Sequence, residues 1–138
     1  MYTDAELTET IAALQHPDPE ERAAMLKALW AWPAQDKRLW PYMEALLEDT
    51  SPCFFGSPPR FAEIRWLAAQ ALAADYRAQG VKRSVHLPQA VAPVSAEALL
   101  TAAHRENLVV TDARNSLLAV FAHLQRTDQL QRSDITFP

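Results

Sequence analysis

Residues 63–80 have the sequence EIRWLAAQALAADYRAQG, in which apolar side chains return every three to four positions. This spacing places them along one face of an α-helix. They are Ile64, Leu67, Ala68, Ala71, Leu72 and Tyr76. Gly80 stands where a helix often ends, because glycine readily adopts the left-handed conformation of a C-terminal cap. The pattern predicts a helix over about 62–79.

Five further stretches show a similar period. These predicted helices begin near Thr3, Glu20, Lys37, Ser95 and Thr111. The chain has 25 alanines and 17 leucines but only 7 valines and 3 isoleucines. Alanine and leucine favour helices, whereas β-branched residues favour strands. The sequence therefore predicts an all-α protein of about six helices in three antiparallel hairpins, with a polar, frayed tail over 128–138.

Glycine and cysteine are scarce, and their scarcity excludes glycine-rich phosphate-binding loops, disulfides and thiolate zinc sites. The two glycines among 138 residues leave no glycine-rich loop to cradle a phosphate group. A single cysteine, Cys53, excludes an internal disulfide and a thiolate zinc cluster. No apolar run approaches the roughly 20 residues of a membrane span, and the acidic first residues do not resemble a signal peptide. We expect a cytoplasmic protein without membrane contacts.

Charge is unevenly distributed along the chain. The formal net charge is −4, and residues 1–49 contain ten acidic and four basic residues, a net of −6. Non-specific nucleic-acid binding depends on cations that displace phosphate counterions, so a nucleic-acid partner is not expected. The acidic first segment would instead suit a basic surface on a partner protein.

An internal repeat is visible when the even-numbered helices are aligned on Arg22, Arg65 and Arg114, which lie 43 and 49 residues apart. An acidic residue stands two positions before each arginine: Glu20, Glu63 and Asp112. Pairs of apolar residues follow at matching offsets. A period of this length is typical of stacked helical repeats.

The segments LWPYMEALLED (39–49) and EIRWLAAQAL (63–72) resemble the HEAT repeat family. This resemblance implies a short right-handed α-solenoid that spans one domain, 1–138, with repeats at about 3–33, 37–80 and 95–127. It also implies a structural ladder of hydrogen bonds between turn aspartates and second-helix arginines. The matching residues are Asp18, Arg22, Asp49, Arg65, Asp112 and Arg114.

Two connections are candidates for partner binding. The second repeat has an insertion at 49–61, which includes TSPCFFGSPPRF and carries Phe54, Phe55, Arg60 and Phe61. These aromatic side chains either fold back as a lid or meet a partner. The connector 81–94 carries a small basic group of Lys82, Arg83 and His86. The alternative for this connector is a solvated linker without a binding role.

Catalytic and metal sites are not predicted. The four histidines, at 16, 86, 104 and 123, form no pair with metal-ligand spacing, and Cys53 has no sequence neighbour that would activate it. Glu20 and Glu21 sit in the first turn of a helix, where the dipole favours acids. The four tryptophans lie on or beside apolar helical rows and are expected to pack inside, although Trp32 and Trp40 flank a short connection and could form an exposed patch.

These observations predict a non-catalytic protein–protein interaction module without cofactors. It would act as an adaptor, subunit or inhibitor through the concave face and the 49–61 loop. An end of the solenoid is a candidate homodimer contact. The alternative is a HEAT-like enzyme or enzyme accessory, of the lyase or chromophore-handling type, with a pocket on the concave face.

Overall fold

The structure is a computed structural model that describes residues 2–56, 58–111 and 113–138. The described residues form six α-helices: α1 (Asp4–Leu14), α2 (Pro19–Ala31), α3 (Trp40–Ala45), α4 (Ile64–Ala78), α5 (Ala96–Arg105) and α6 (Arg114–Arg126). Five strands accompany them: β1 (Pro52–Phe55), β2 (Arg60–Glu63), β3 (Val85–Val91), β4 (Val94–Ser95) and β5 (Arg132–Phe137). Short 3-10 turns at Lys37–Leu39 and Leu46–Glu48 flank α3. None of the described helices has the length and apolarity needed to cross a membrane.

Helix α4 is the centre of the larger core. Its alanines at 68, 69, 71, 73 and 74 are buried, and they leave room for neighbouring helices to approach closely. Helices α2 and α3 pack against it and α1 packs against both of them, with Leu14, Leu26, Leu39 and Met43 buried among the helices. The predicted helical period of residues 63–80 is therefore confirmed, and it belongs to the most buried helix described.

The predicted loop at 49–61 is a β-hairpin instead. Strands β1 and β2 pair antiparallel, with Phe54 opposite Phe61, and β4 adds a third strand to the other side of β2. Successive strand residues point to opposite faces. Phe55 accordingly enters the larger core, whereas Phe54 and Phe61 pack in a second core with α5 and α6. The hairpin joins the two cores.

The tail that was predicted to fray contains strand β5. It pairs antiparallel with β3, and Phe137 and Ile135 pack into the larger core. The connector at 81–94 correspondingly contains β3, with an irregularity at Pro88 and Gln89, where Gln89 has φ 50°. Buried Glu63 helps fix β5 and α6, since its carboxylate accepts a bond from Gln125 and lies 3.6 Å from Arg132.

The predicted all-α solenoid is wrong. All six helices exist, but two antiparallel sheets are interposed between them, so the fold is mixed α and β. The predicted concave face depended on stacked second helices, so that prediction is wrong as well. The cause is long-range pairing: β3 and β5 are joined across some 40 residues of sequence, and short strands rich in proline and polar residues resemble loops when each is considered alone.

Candidate functional site

The hairpin residues predicted for partner binding mostly face inward. Phe61 and Phe55 are 0% and 3% exposed, and Phe54 is half-buried. Arg60 is exposed, and its Cζ lies 4.9 Å from the centroid of the Phe55 ring. The hairpin thus has the folded-back arrangement, in which these aromatic side chains are structural.

The predicted ladder residues make one bond of the expected kind. Arg22 Nε donates to Asp49 Oδ2 at 2.9 Å, and Arg22 also donates to the carbonyl oxygen of His16. Asp18 caps α2 by accepting from the Glu20 N–H. These bonds tie the start of α2 to the connection that precedes β1.

The other two arginines bond differently. Arg65 Nη2 donates to the Pro88 carbonyl at 2.7 Å, so this arginine holds the irregular part of β3. Arg114 forms an exposed ion pair with Glu20, in which its Nη2 donates to both carboxylate oxygens at 3.0 and 2.9 Å. The remaining predicted member, Asp112, lies outside the described residues. The ladder therefore does not continue regularly along the described chain.

A cleft of about 220 Å³ lies between α2, β1 and the start of α6. Cys53 is on its lining, but burial raises the pKa of the thiol to about 12, so it stays protonated at neutral pH. Lys27 donates to the Phe54 carbonyl at 2.7 Å, and Arg114 is bound to Glu20. Because these cations already hold the fold together, the cleft is a weaker candidate than the surface described next.

The basic connector residues lie at the C-terminal end of α4. Arg77, Lys82 and Arg83, together with Ser84 and Pro138, line an open groove of about 440 Å³. His86 lies apart, on the exposed face of β3, with its Nδ1 3.3 Å from Thr136 Oγ1. The structure thus places Lys82 and Arg83 beside Arg77 and separates them from His86.

The two arginines of this groove are held in place by different partners. Arg83 Nη1 donates to the Tyr76 hydroxyl at 3.2 Å, and its Cζ lies 5.0 Å from the centroid of that ring. Arg77 donates to the main-chain oxygen of Pro138. Burial raises the pKa of Tyr76, so its hydroxyl remains neutral. The hydroxyl in turn donates to Glu44 at 3.3 Å, and none of the ion pairs among the described residues includes Arg83.

A second groove, of about 390 Å³, lies on the other side of the Gln79–Gly80 turn. It is lined by Gln35, Asp36, Lys37, Arg38 and Gln79. The pKa of Asp36 is lowered to about 2, chiefly by its hydrogen bonds from the Arg38 side chain. Lys37 lies beside Trp40, with Nζ 5.8 Å from the ring centroid.

The two grooves adjoin because α2 and α4 run in the same direction. Near their beginnings, Asp49 bonds both Arg22 of α2 and the Arg65 N–H of α4. Near their ends, Asp75 of α4 accepts from the Gln35 N–H that follows α2, at 2.7 Å. Both C-terminal ends therefore lie on the same side of the molecule.

An exposed tryptophan lies at the end of α2, three residues before Gln35 of the second groove. Trp32 caps the end of α2 through its N–H bond to Ala28, and 82% of it is exposed. We call the whole surface the basic end. It consists of Trp32, Lys37, Arg38, Arg77, Lys82 and Arg83.

Charge at the basic end is only partly balanced. Arg38 is paired with Asp36 at 2.7 Å and lies 3.6 Å from Asp4. Lys37, Lys82 and Arg83 have no carboxylate within 4.0 Å in the described part of the chain. A concentration of unpaired positive charge attracts anionic partners and accelerates their association.

Comparison with protein-family models, with curated proteins and with solved structures gives no match. The HEAT resemblance therefore stays a prediction, and only the solenoid drawn from it is corrected.

Sequence reasoning identified Lys82 and Arg83 but missed Lys37, Arg38 and Arg77. Arg77 lies in the last turn of a predicted helix, where basic residues are common, whereas Lys37 and Arg38 lie at the start of the next predicted helix. These residues come together because α2 and α4 run parallel, and the helical periods alone do not reveal that arrangement.

Proposed function

We propose that this protein is a non-catalytic protein-binding module and that the basic end is its contact surface. The observation that carries the proposal is Trp32, which is 82% exposed at the end of α2 while cations surround the neighbouring grooves. Tryptophan and arginine are the residues that most often dominate the energy of protein interfaces. A large aromatic ring in water gains free energy when a partner covers it.

The other conspicuous apolar residues support this choice by contrast. Trp30 and Trp66 are half-buried in a cluster with Phe55, with centroid separations of 5.3 to 6.4 Å, so they already have partners within the chain. Trp40 lies edge-on to Tyr76 and donates its indole N–H to Asp75. Trp32 is the tryptophan that the described fold leaves to the solvent.

The proposal is tested by capture of partners from the native source with the affinity-tagged chain. Trp32→Ala should abolish capture and leave the helical circular dichroism unchanged, because an exposed side chain contributes little to folding. Val109→Ala is the matched control, since Val109 is a fully exposed apolar residue in the connection between α5 and α6. The proposal is contradicted if Trp32→Ala retains the partner or if both variants lose it equally.

A further inference from the structure

Building on the proposed function, we infer the chemistry of the partner: it presents an acidic segment that crosses the Gln79–Gly80 turn. Its carboxylates would enter the two grooves on either side of the turn, and an apolar side chain would cover Trp32. Three observations support this inference. They are the positive charge of the cluster on an acidic protein, the hydrogen bonds that hold its guanidinium groups, and the position of two cations beyond the reach of the helix dipole.

The first observation is that the cluster opposes the charge of the whole protein. The chain carries −4, yet Lys37, Lys82 and Arg83 gather around one turn without a carboxylate partner in the described residues. Like charges held close together repel each other, so an ordinary surface would intersperse acids among them. A partner that supplied the missing carboxylates would relieve that repulsion.

The second observation is that Arg77 and Arg83 are oriented before any partner arrives. Arg83 donates to the neutral Tyr76 hydroxyl through Nη1 and lies against that ring, and Arg77 donates through Nη1 to the main-chain oxygen of Pro138. The remaining N–H groups of a guanidinium form a planar fork that matches a carboxylate. Holding the fork in advance reduces the conformational entropy that binding would cost.

The third observation concerns the helix dipole, which favours cations at C-terminal ends. Three carbonyl groups near the end of α4, those of Asp75, Tyr76 and Arg77, already accept from the N–H groups of the Gln79–Val81 turn. The dipole acts mainly within the last turn, and that turn contains Arg77. Lys82 and Arg83 follow Gly80, beyond the helix, so stabilisation of the helix end does not explain them.

An acidic protein segment fits these observations better than a nucleic acid. Residues 1–49 carry a net charge of −6, which would repel a long phosphate backbone passing over the molecule. A short acidic segment needs only the basic end. Its carboxylates can alternate with an apolar residue, and this alternation suits three unpaired cations and one exposed indole.

The test uses fluorescence anisotropy with the full chain and a labelled synthetic peptide in which glutamates are interrupted by leucines. The same peptide with lysine in place of glutamate and a labelled single-stranded oligonucleotide are the comparison probes. We expect the glutamate peptide to bind, to bind more weakly as salt increases, and to bind more tightly than either comparison probe. No binding, or tighter binding of the oligonucleotide, overturns the inference.

Charge-reversal variants locate the binding. Lys82→Glu with Arg83→Glu should weaken peptide binding at least about tenfold, since two attractions become repulsions. Arg105→Glu with Arg126→Glu makes the same change in net charge at the exposed last turns of α5 and α6, and it should have little effect. An equal loss in both pairs would show long-range attraction alone and would overturn the inference.

One further variant and one further experiment distinguish a binding defect from misfolding, and the acidic segment from protein binding in general. Lys82→Glu alone makes the same test without disturbing the Arg83 contact with Tyr76, so a misfolded double variant does not end the experiment. The Lys82→Glu, Arg83→Glu chain is also used in the capture experiment. If it retains the partner that Trp32→Ala loses, the protein-binding function stands and the acidic segment is rejected.

Discussion

Asp75 shows how one buried side chain shapes the candidate site. Its carboxylate is 2% exposed and accepts from the Gln35 N–H and the Trp40 indole. Gln35 has φ 55°, a strained conformation for a residue with a side chain, and this hydrogen bond helps to hold it. The position of Lys37, two residues later, therefore depends on an aspartate of α4.

The same contact explains why the predicted Trp32–Trp40 patch is only half present. Both tryptophans lie on apolar helical rows and flank one connection, so periodicity treats them alike. Trp40 is turned inward by Asp75, which is 35 residues away in sequence, whereas Trp32 remains outside. A distant buried partner of this kind leaves no local signal.

Asp36 makes the stability of the protein depend on pH. Its folded pKa of about 2 lies below the ordinary value of 3.8, chiefly because Arg38 hydrogen-bonds the charged form. The resulting stabilisation is complete above the unfolded pKa and is lost as pH falls through the folded pKa. We expect about 1 to 2 kcal/mol at neutral pH, after allowance for screening around Arg38, which is 44% exposed.

Urea unfolding of Asp36→Asn checks this expectation. The variant should be less stable than the wild type at pH 7, and the difference should shrink as the pH approaches 2. Glu9→Gln is the control, because Glu9 is exposed and belongs to none of the described ion pairs. A difference that stays constant between pH 7 and pH 2 would contradict the assigned role.

At the scale of elements, the β1–β2 hairpin depends on a glycine that the fold cannot easily replace. Gly56 has φ +89°, and a Cβ there would lie 3.1 Å from the Arg60 guanidinium and 3.3 Å from the Pro58 carbonyl oxygen. Gly80, with φ +69°, would meet no atom within 4 Å. Substitution of Gly80 would therefore cause backbone strain alone, whereas substitution of Gly56 would add a steric conflict.

Gly56→Ala should therefore cost more free energy of unfolding than Gly80→Ala. Both variants incur about 1 kcal/mol for the left-handed conformation. Gly56→Ala should lose roughly 1 kcal/mol more, because a neighbour that supports the Phe55 ring must move. Thermal unfolding followed by circular dichroism measures both costs, and equal costs would show that Arg60 yields freely.

The helices could be predicted from sequence and the strands could not, for a physical reason. In α4, partners such as Leu67 and Ala71 are four residues apart, so their period is visible locally. In β5, Ile135 and Phe137 gain burial only by pairing with β3, near Leu87 and Val85. The three phenylalanines of the hairpin illustrate the intermediate case, since their need for burial was predictable but the two cores they enter were not.

At the scale of the molecule, the parallel course of α2 and α4 creates the candidate site. Acidic residues Glu20 and Glu21 lie at the start of α2, whereas the cations of the basic end lie at or beyond the C-terminal ends of α2 and α4. The sequence predicted an acidic first segment that would meet a basic partner. The structure instead collects unpaired cations on one surface with Trp32, and we propose that surface as the contact.

The most direct test of this proposal is the change in backbone amide chemical shifts when the captured partner is added to the isotope-labelled chain. Our account predicts that the largest changes fall at residues 32–38 and 77–84, and that they diminish for Trp32→Ala. The account is wrong if the strongest changes occur at the β1–β2 hairpin or at α5 and α6 and the basic end is unaffected.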